Sequence, residues 1–280
     1  MNNKIGIMCG RLSPSIDENI QQFPLNFWRN EFEQANNLGF DSIEWIYDLT
    51  ENNPIINNLD ELNTLSVKND IRINSVCADY FMVKKLFNVS QHDLYLNLKK
   101  LHQLIKNCNK LNIEILEIPL VDSSSIQNEK FRNEFISNLT SSLSIAEENQ
   151  VFLTLETDLS PESFKKLVLD FDHPNIKINY DIGNSISLGY DPSLELSTLS
   201  EWIKNIHIKD RLYHSNTVPL GTGDVDFDLF FSNLSKIHYT KSLIIQGARE
   251  DLENNQISPE QTCSKYLNFV KHYVSKYLVE

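Results

Sequence analysis

The polar and apolar positions of the chain repeat one pattern along its whole length. A short apolar run, rich in β-branched residues, is followed by a longer segment whose apolar residues recur every three or four positions. The short runs predict parallel strands covered on both faces, and the longer segments predict amphipathic helices. The predicted strands are Lys4–Met8, Ser42–Ile46, Arg72–Cys77, Ile113–Ile118, Val151–Glu156, Lys177–Tyr180, Ile203–Ile208 and Ser242–Gln246.

The helical segments carry recognisable ends. A helix over Phe27–Leu38 would end at Gly39, a residue type that suits the left-handed position after a helix. Ser160 followed by Pro161 is typical of a helix N-terminus. The other predicted helices are Leu94–Leu111, Phe131–Ala146, Asp226–Ile237 and Pro259–Leu278.

Eight strands that alternate with eight helices predict a parallel sheet, either open or closed into a barrel. An open dinucleotide-binding sheet has a glycine-rich turn after its first strand. Here that segment, residues 9–14, holds the single glycine Gly10, and the G-x-G at Gly221 and Gly223 comes late in the chain. No linker or change of composition divides the sequence. We therefore predict one α/β domain over residues 1–280, a single (β/α)8 TIM barrel.

Composition and charge narrow the expected partners. Of the 280 residues, 41% are apolar, and the formal net charge is −13, which argues against nucleic acid as a partner. The four cysteines, Cys9, Cys77, Cys108 and Cys263, contain no C-x-x-C pair, which favours reduced thiols. Neither a signal-peptide pattern nor an apolar run of about 18 residues occurs. We expect a cytoplasmic protein with no membrane partner.

Polar side chains end or follow most of the predicted strands. In a barrel of this kind the chemistry lies at the carboxyl ends of the strands. These positions are Glu44, Asp79, Glu117, Glu156, Asp181, His207, Lys209, Asp210 and Gln246, with Arg11, Arg211 and Arg249 a few residues beyond three of the ends.

Three of these residues are chemically matched. Glu156, Asp181 and His207 end successive apolar runs, and a charge that ends a buried strand is costly unless it is paired or binds a cation. One such carboxylate alone is more often a helix N-cap or an ion-pair partner. Two carboxylates and an imidazole on successive strands instead favour a site for Mn²⁺, Mg²⁺, Co²⁺ or Zn²⁺.

At these residues the sequence resembles the xylose isomerase-like barrel superfamily, especially its sugar-phosphate isomerase/epimerase branch. The resemblance covers nearly the whole chain and is strongest in the segments 153–156, 179–184, 207–210 and 219–227. It implies that Glu156, Asp181 and His207 are metal ligands and that the last strand supplies a fourth. The family has glutamate there, but this chain has Gln246, whose amide oxygen can coordinate a cation but is not a base.

The resemblance also implies a reaction, in which a proton is removed next to a carbonyl and a divalent metal stabilises the enediolate. Glu156 would be both ligand and catalytic base. Without a base at Gln246, one-base isomerisation is easier to explain than two-base epimerisation. Glu117 or Glu44 would replace the missing base, or would bind substrate hydroxyls or arginine side chains, and Asp79 is expected in the pocket wall.

An anionic group on the substrate would find cations nearby. Arg211 and Arg249 follow the seventh and eighth strands, where barrels often bind phosphate, and Arg11 follows the neighbouring first strand. Three arginines there predict a clamp for phosphate or carboxylate, although rim arginines also serve as ion-pair partners. Lys209 and Asp210 are expected either to make supporting contacts around the strand end at His207 or to form a plain ion pair at the rim. The loop at Gly221–Gly223 could offer N–H groups to the anion or form a tight turn.

Four functions stay open on the sequence alone. A sugar or sugar-phosphate isomerase or epimerase comes first, with a small-molecule sugar or sugar phosphate as partner. A lyase that dehydrates a keto-sugar or an inosose shares its first half-reaction. A non-catalytic sugar-binding barrel is suggested by Gln246, and an apurinic-site endonuclease is disfavoured by the acidic charge. The helical faces of such a barrel would allow a homodimer.

Overall fold

A computed structural model describes residues 3–15, 20–250 and 257–278. Within these residues the strands are β1 (Ile5–Met8), β2 (Ser42–Ile46), β3 (Arg72–Cys77), β4 (Ile115–Leu120), β5 (Phe152–Thr157), β6 (Ile176–Asp181), β7 (Ile203–Ile208), β8 (Asp210–Arg211), β9 (Thr217–Val218) and β10 (Ser242–Ile245). Eight of them are parallel and close into a barrel in the order β1-β10-β7-β6-β5-β4-β3-β2, and β8 and β9 form a separate antiparallel hairpin.

Helices cover the outside of the barrel. They are α1 (Trp28–Leu38), α2 (Pro54–Asn57), α3 (Leu59–Asn69), α4 (Tyr80–Val83), α5 (Gln91–Lys110), α6 (Glu129–Thr140), α7 (Leu143–Glu148), α8 (Pro161–Phe171), α9 (Ile182–Leu188), α10 (Pro192–Leu199), α11 (Phe227–Lys236) and α12 (Pro259–Tyr277), with a 3₁₀ turn at Asp122–Ser124. The predicted (β/α)8 barrel is thus confirmed.

Most predicted elements match the structure to within three residues at each end, and two differences need an explanation. The predicted fourth strand began at Ile113, but β4 begins at Ile115 and extends to Leu120. The predicted helix over Phe131–Ala146 is divided into α6 and α7. At the division, the hydroxyl groups of Thr140 and Ser141 donate to carbonyls of the preceding turn. Such side-chain bonds compete with regular helix geometry, which accounts for the break.

The core lies between the barrel and its helices, and its aromatic centre is Trp45 of β2. The rings of Phe23 and Trp28 lie 5.2 and 5.7 Å from the Trp45 ring, measured between centroids. The indole N–H donates to Asn53 Oδ1 at 3.0 Å, so the polar atom of this buried ring is satisfied. This packing fixes β2 against α1 and so helps to set the barrel wall from which Glu44 points inward.

The barrel interior, by contrast, carries a polar layer. Ser75, Thr154, Asn179 and Asn205 are each at most 1% exposed and lie on four different barrel strands. Buried polar groups are costly without partners, and these residues surround the charged groups described below. The interior therefore provides hydrogen-bonding groups rather than a purely apolar filling.

The described part of the chain contains no helix with the length and apolar character that a membrane span requires. The four cysteines are all buried and none forms a disulfide.

Candidate metal centre and substrate pocket

His207 is the centre of a cluster of four carboxylates inside the barrel. Its imidazole is fully buried. On one side, Nε2 lies 2.5 Å from Glu44 Oε1 and 3.3 Å from Glu117 Oε2. On the other side, Nδ1 lies 3.3 Å from Glu156 Oε2 and 3.9 Å from Asp181 Oδ2. The ring therefore divides the carboxylates into two pairs.

The strand register explains this division. His207 pairs with Asp181 on the neighbouring strand, and Glu156 pairs with Pro119. Glu117 pairs with Thr154, two residues before Glu156, and therefore lies one layer deeper in the barrel. Glu156, Asp181 and His207 are each the last or second-last residue of their strands and so lie toward the carboxyl ends.

Two triplets have the spacing of metal ligands. Glu156, Asp181 and His207 form one, Glu44, Glu117 and His207 the other, and in each the candidate ligand atoms lie within 4.8 Å of one another. Glu44 in the second triplet already accepts hydrogen bonds from Ser75 and Asn205 as well as facing His207. In the first triplet each residue is the last or second-last of its strand, and Glu156 lines the cavity at the carboxyl ends of the strands. We therefore place the candidate metal centre at Glu156, Asp181 and His207.

Glu44 and Glu117 lie deeper than the sequence predicted. Both residues lie in the middle of their strands and not at the ends, and they are 0% and 1% exposed. Their carboxylates face His207. Glu44 does not line the pocket, whereas Glu117 reaches its floor. The structure thus corrects the expected substrate contact of Glu44, because the side chain is enclosed by the polar layer. A carboxylate that accepts from His207 Nε2 would leave Nδ1 free to bind a metal.

The charges of the cluster depend on one another. Burial lowers the pKa of His207, but the carboxylates of Glu44 and Glu117 outweigh burial and raise it well above its usual range. Burial raises the pKa of Glu117 well above its ordinary value. Burial would also raise the pKa of Glu156, but the hydrogen bond and charge of His207 and the charge of Lys209 lower it to about 2. These opposite shifts favour the ionised form of Glu156 and the protonated form of Glu117.

Asp181 uses its two oxygens differently. Oδ1 accepts the N–H of Asn184 at 2.9 Å and so caps the N-terminus of α9, while Oδ2 lies 2.7 Å from Lys209 Nζ. A side chain at Gly183 would lie 2.8 Å from Lys209 Cγ, so glycine lets α9 pack against this lysine. Asp181 is therefore both a helix N-cap, the role that is more usual for a single strand-end carboxylate, and a member of the cluster around His207. Lys209 contacts a candidate ligand, as the sequence suggested.

Two asparagines orient the Glu156 carboxylate. Asn179 Nδ2 donates to Oε2 at 2.9 Å, and Asn184 Nδ2 donates to Oε1 at 2.6 Å. Sequence reasoning did not assign either residue a role. Both could have been found, because Asn179 opens and Asn184 closes the segment 179–184 that carries the family resemblance.

The cluster opens into a cavity of about 800 Å³ at the carboxyl ends of the strands. Its lining includes Arg11, Asp79, Glu117, Glu156, Lys209, Arg211 and Gln246, together with Gln21 and Asn184. Leu49 and Val83, half or more exposed, contribute apolar surface at the same cavity. A polar floor with apolar patches in the wall suits a small polyhydroxylated ligand.

The three arginines predicted as a clamp do not all line this cavity. Arg11 and Arg211 do, but Arg249 is 6% exposed and donates to the carbonyls of Ser13, Gly10 and Ile20. The expectation that Arg249 binds substrate is therefore corrected, because its guanidinium hydrogen-bonds backbone of the first strand-to-helix loop. Arg211 Nη1 donates to Asn184 Oδ1 at 2.8 Å.

The glycine loop also has a structural explanation. Asp210 accepts the N–H groups of Gly221, Gly223 and Val225 at 2.8, 2.9 and 3.2 Å. These N–H groups therefore point at a carboxylate of the same chain and not at a bound anion. Asp210 organises this loop and does not contact the metal ligands as the sequence suggested.

A buried carboxylate behind α9 predicts a pH dependence of stability. Glu195 is 5% exposed and accepts hydrogen bonds from Tyr180 and Ser185, and burial raises its pKa from 4.5 to about 7. Because the pKa of Glu195 is higher in the folded than in the unfolded protein, its protonated form stabilises the fold below pH 4.5. This contribution is lost as the pH rises through about 7. We expect this residue to lower the free energy of unfolding by about 3 kcal/mol over that interval. Urea unfolding of Glu195→Gln should show a correspondingly flatter pH profile, and equal slopes would contradict the assignment.

Comparisons with known proteins agree with this architecture. The sequence model described as xylose isomerase-like TIM barrel matches residues 32–266. The L-ribulose-5-phosphate 3-epimerase UlaE of Escherichia coli O1:K1 is 25% identical over 263 residues, which cover 89% of this chain and 90% of that protein. The IolI protein, solved with a zinc atom, superposes with a TM-score of 0.78 at 18% identity, over 98% of this chain and 99% of that one. D-psicose 3-epimerase from Clostridium cellulolyticum H10, solved with D-tagatose, gives a TM-score of 0.74 at 16% identity, over 97% and 99% of the two chains.

Proposed function

Because the chain belongs to the xylose isomerase-like TIM barrel family, we propose that it is a divalent-metal-dependent isomerase or epimerase of a small ketose or ketose phosphate. The observation that carries the proposal is the cluster of Glu156, Asp181 and His207, of which Glu156 lines the cavity. Curated relatives along most of the chain are named as ribulose-phosphate 3-epimerases, which supports a ketose as the substrate class.

The residues present fit a divalent cation. Two carboxylates and one imidazole, with candidate ligand atoms within 4.8 Å of one another, match the donors that such ions take in proteins. Gln246 adds a buried amide oxygen without a hydrogen-bond partner among the described residues. A bound cation would polarise the substrate carbonyl and lower the energy of the enediolate formed by loss of the adjacent proton.

Glu156 is the residue proposed to move that proton. Its carboxylate lines the cavity, and Asn179 and Asn184 each hold one of its oxygens. This leaves the carboxylate with a fixed orientation, as proton transfer at a defined carbon requires. Lys209, whose ammonium group lines the same cavity beside Asp181, adds positive charge where negative charge develops on the substrate.

The second proton transfer distinguishes the two reaction types. Isomerisation can return the proton with the same base, whereas epimerisation needs an acid on the opposite face of the substrate. Gln246 cannot supply it. Glu117 also lines the cavity, and burial raises the pKa of its carboxyl well above the ordinary value, which favours its protonated form. Glu117 is therefore the candidate for a proton donor in an epimerase.

Isotope exchange with a set of sugars tests the proposal. Protein loaded with Mn²⁺, Co²⁺ or Zn²⁺ would be incubated in D₂O with L-ribulose, L-ribulose 5-phosphate, D-psicose and D-tagatose. We expect deuterium at the carbon next to the carbonyl, and the products separate isomerase from epimerase. Comparison of phosphorylated and free sugars shows whether the cavity prefers a substrate with a phosphate. Exchange with none of them, from protein that holds its metal, would contradict the proposal and favour a sugar-binding role.

A further inference from the structure

Gln246 belongs to a row of hydrogen bonds that crosses the cavity wall. Its Nε2 donates to Gln21 Oε1 at 2.7 Å, and Gln21 Nε2 donates to Asp79 Oδ2 at 2.7 Å. Gln21 comes from the loop after β1, Asp79 follows β3 and Gln246 follows β10. All three residues line the cavity that contains Glu156.

The charges at the ends of this row fix its direction. An ionised Asp79 can only accept, so the nitrogen of Gln21 must face it. Arg11 can only donate, and its Nη2 lies 3.4 Å from Gln21 Oε1, which places the oxygen of Gln21 on the other side. Since Gln21 Oε1 can only accept, Gln246 must turn its Nε2 group toward it. The assignment of both amides therefore follows from Asp79 and Arg11 and not from the positions of indistinguishable atoms.

With the amides in this orientation, one polar atom of Gln246 has no hydrogen-bond partner among the described residues. Gln246 Oε1 is buried, and no described residue gives it a hydrogen bond. A buried carbonyl oxygen without a partner is costly and is rarely retained without a ligand. Gln246 stands where the resemblance places the family's fourth metal ligand, and the oxygen is the ligating atom of an amide.

We propose that Gln21 and Asp79 are positioning residues that turn the carbonyl oxygen of Gln246 toward the cation held by Glu156, Asp181 and His207. The inference rests on the proposed function. In this chain the negative charge expected at position 246 stands instead on Asp79, one glutamine away. The hydrogen bonds from Gln246 to Gln21 and from Gln21 to Asp79 polarise the carbonyl of Gln246, so that its oxygen becomes more negative and a better ligand.

Titration with Mn²⁺ alone tests the role of Gln21 without any turnover. Metal-stripped protein would be titrated in a calorimeter, and its fold checked by circular dichroism. Gln21→Met keeps the length of the side chain but breaks the row, and we expect Mn²⁺ affinity to fall about 10- to 100-fold. The matched control is Gln103→Met, on the exposed face of α5, with affinity within about twofold of the parent protein. Equal affinity in both variants would overturn the proposal.

A double-mutant cycle tests the direction of the row. A glutamate at position 246 can only accept, so Gln21 must reverse and point its oxygen at Asp79, which repels it. Asparagine at position 79 can donate to that oxygen. In the Gln246→Glu background, Asp79→Asn is therefore expected to raise Mn²⁺ affinity about fivefold or more. In the parent protein the same change should leave affinity unchanged or lower it, because asparagine can still accept from Gln21 but removes a negative charge.

The outcomes separate the two levels of inference. Parent protein that binds no divalent metal would overturn the proposed function together with the positioning role. Parent protein that binds Mn²⁺, with Asp79→Asn acting by the same factor in both backgrounds, would overturn the positioning role alone. A rise of affinity in the Gln246→Glu background without a rise in the parent would support it, because a merely structural contribution of Asp79 would not depend on the residue at position 246.

Discussion

The Glu156→Gln variant is expected to lose proton exchange at the carbon next to the substrate carbonyl by about 10²- to 10⁴-fold. Glutamine keeps the shape of the side chain and an oxygen for Asn184 or Asn179, but it cannot take a proton. The measurement is deuterium incorporation from D₂O into the ketose that gives the fastest exchange with the parent protein. Metal content would be determined by elemental analysis in the same samples.

The metal content decides whether a loss of proton exchange reflects loss of the base or loss of the metal. If Glu156→Gln retains metal and loses exchange, the residue acts as the base. If metal is lost as well, titration with added Mn²⁺ must fail to restore exchange for the same conclusion to hold. The matched control is Glu162→Gln in the exposed first turn of α8, which should exchange at the parent rate. Undiminished exchange in Glu156→Gln would remove Glu156 from the reaction.

Replacement of His207 by alanine is expected to have the largest effect on stability. The imidazole lies between four carboxylates in the barrel interior. After its loss Asp181 keeps its contact with Lys209, but Glu44 and Glu117 lose their cationic partner. Removal of one partner from a buried ion pair typically costs about 3 to 5 kcal/mol. We expect a decrease of that size in the free energy of unfolding of metal-free protein, measured in urea, and loss of metal binding in titrations.

A second substitution separates the two effects. Because Glu44 has the shortest contact with His207, 2.5 Å, neutralising it should relieve part of the repulsion. We expect Glu44→Gln to stabilise His207→Ala protein, although alone it should destabilise the parent, and not to restore metal binding. The control His92→Ala, in the exposed first turn of α5, should change stability by less than about 0.5 kcal/mol. Additive effects of the His207 and Glu44 changes would contradict the coupling.

The sequence predicted the parts of this protein that depend on local patterns. The barrel follows from apolar runs alternating with amphipathic segments, and Glu156, Asp181 and His207 were found because each ends or nearly ends such a run. Their proximity then follows from the rule that parallel strands present their carboxyl ends at one edge.

The contacts that the sequence missed depend on depth and on loop geometry. Glu117 looked like a strand end because the predicted strand began and ended two residues too early, and the shift hid its place in the deeper layer. Arg249 looked like a rim cation, but the path of the first loop brings backbone carbonyls to its guanidinium. Gln21 lies in an irregular loop far from Gln246 in sequence, so no periodicity could associate them.

The order of strands around the barrel also bears on how substrate range could be changed. The candidate ligand positions belong to β5, β6, β7 and to the end of β10, which are four consecutive neighbours in the closed sheet. Most of the cavity wall instead comes from the loops after β1 to β4. Those loops could be exchanged with loops of other barrels to accept longer or differently configured sugars, provided that Gln21 and Asp79 are kept. The strands that carry the candidate metal ligands would stay intact, while the loops that form most of the cavity wall are replaced.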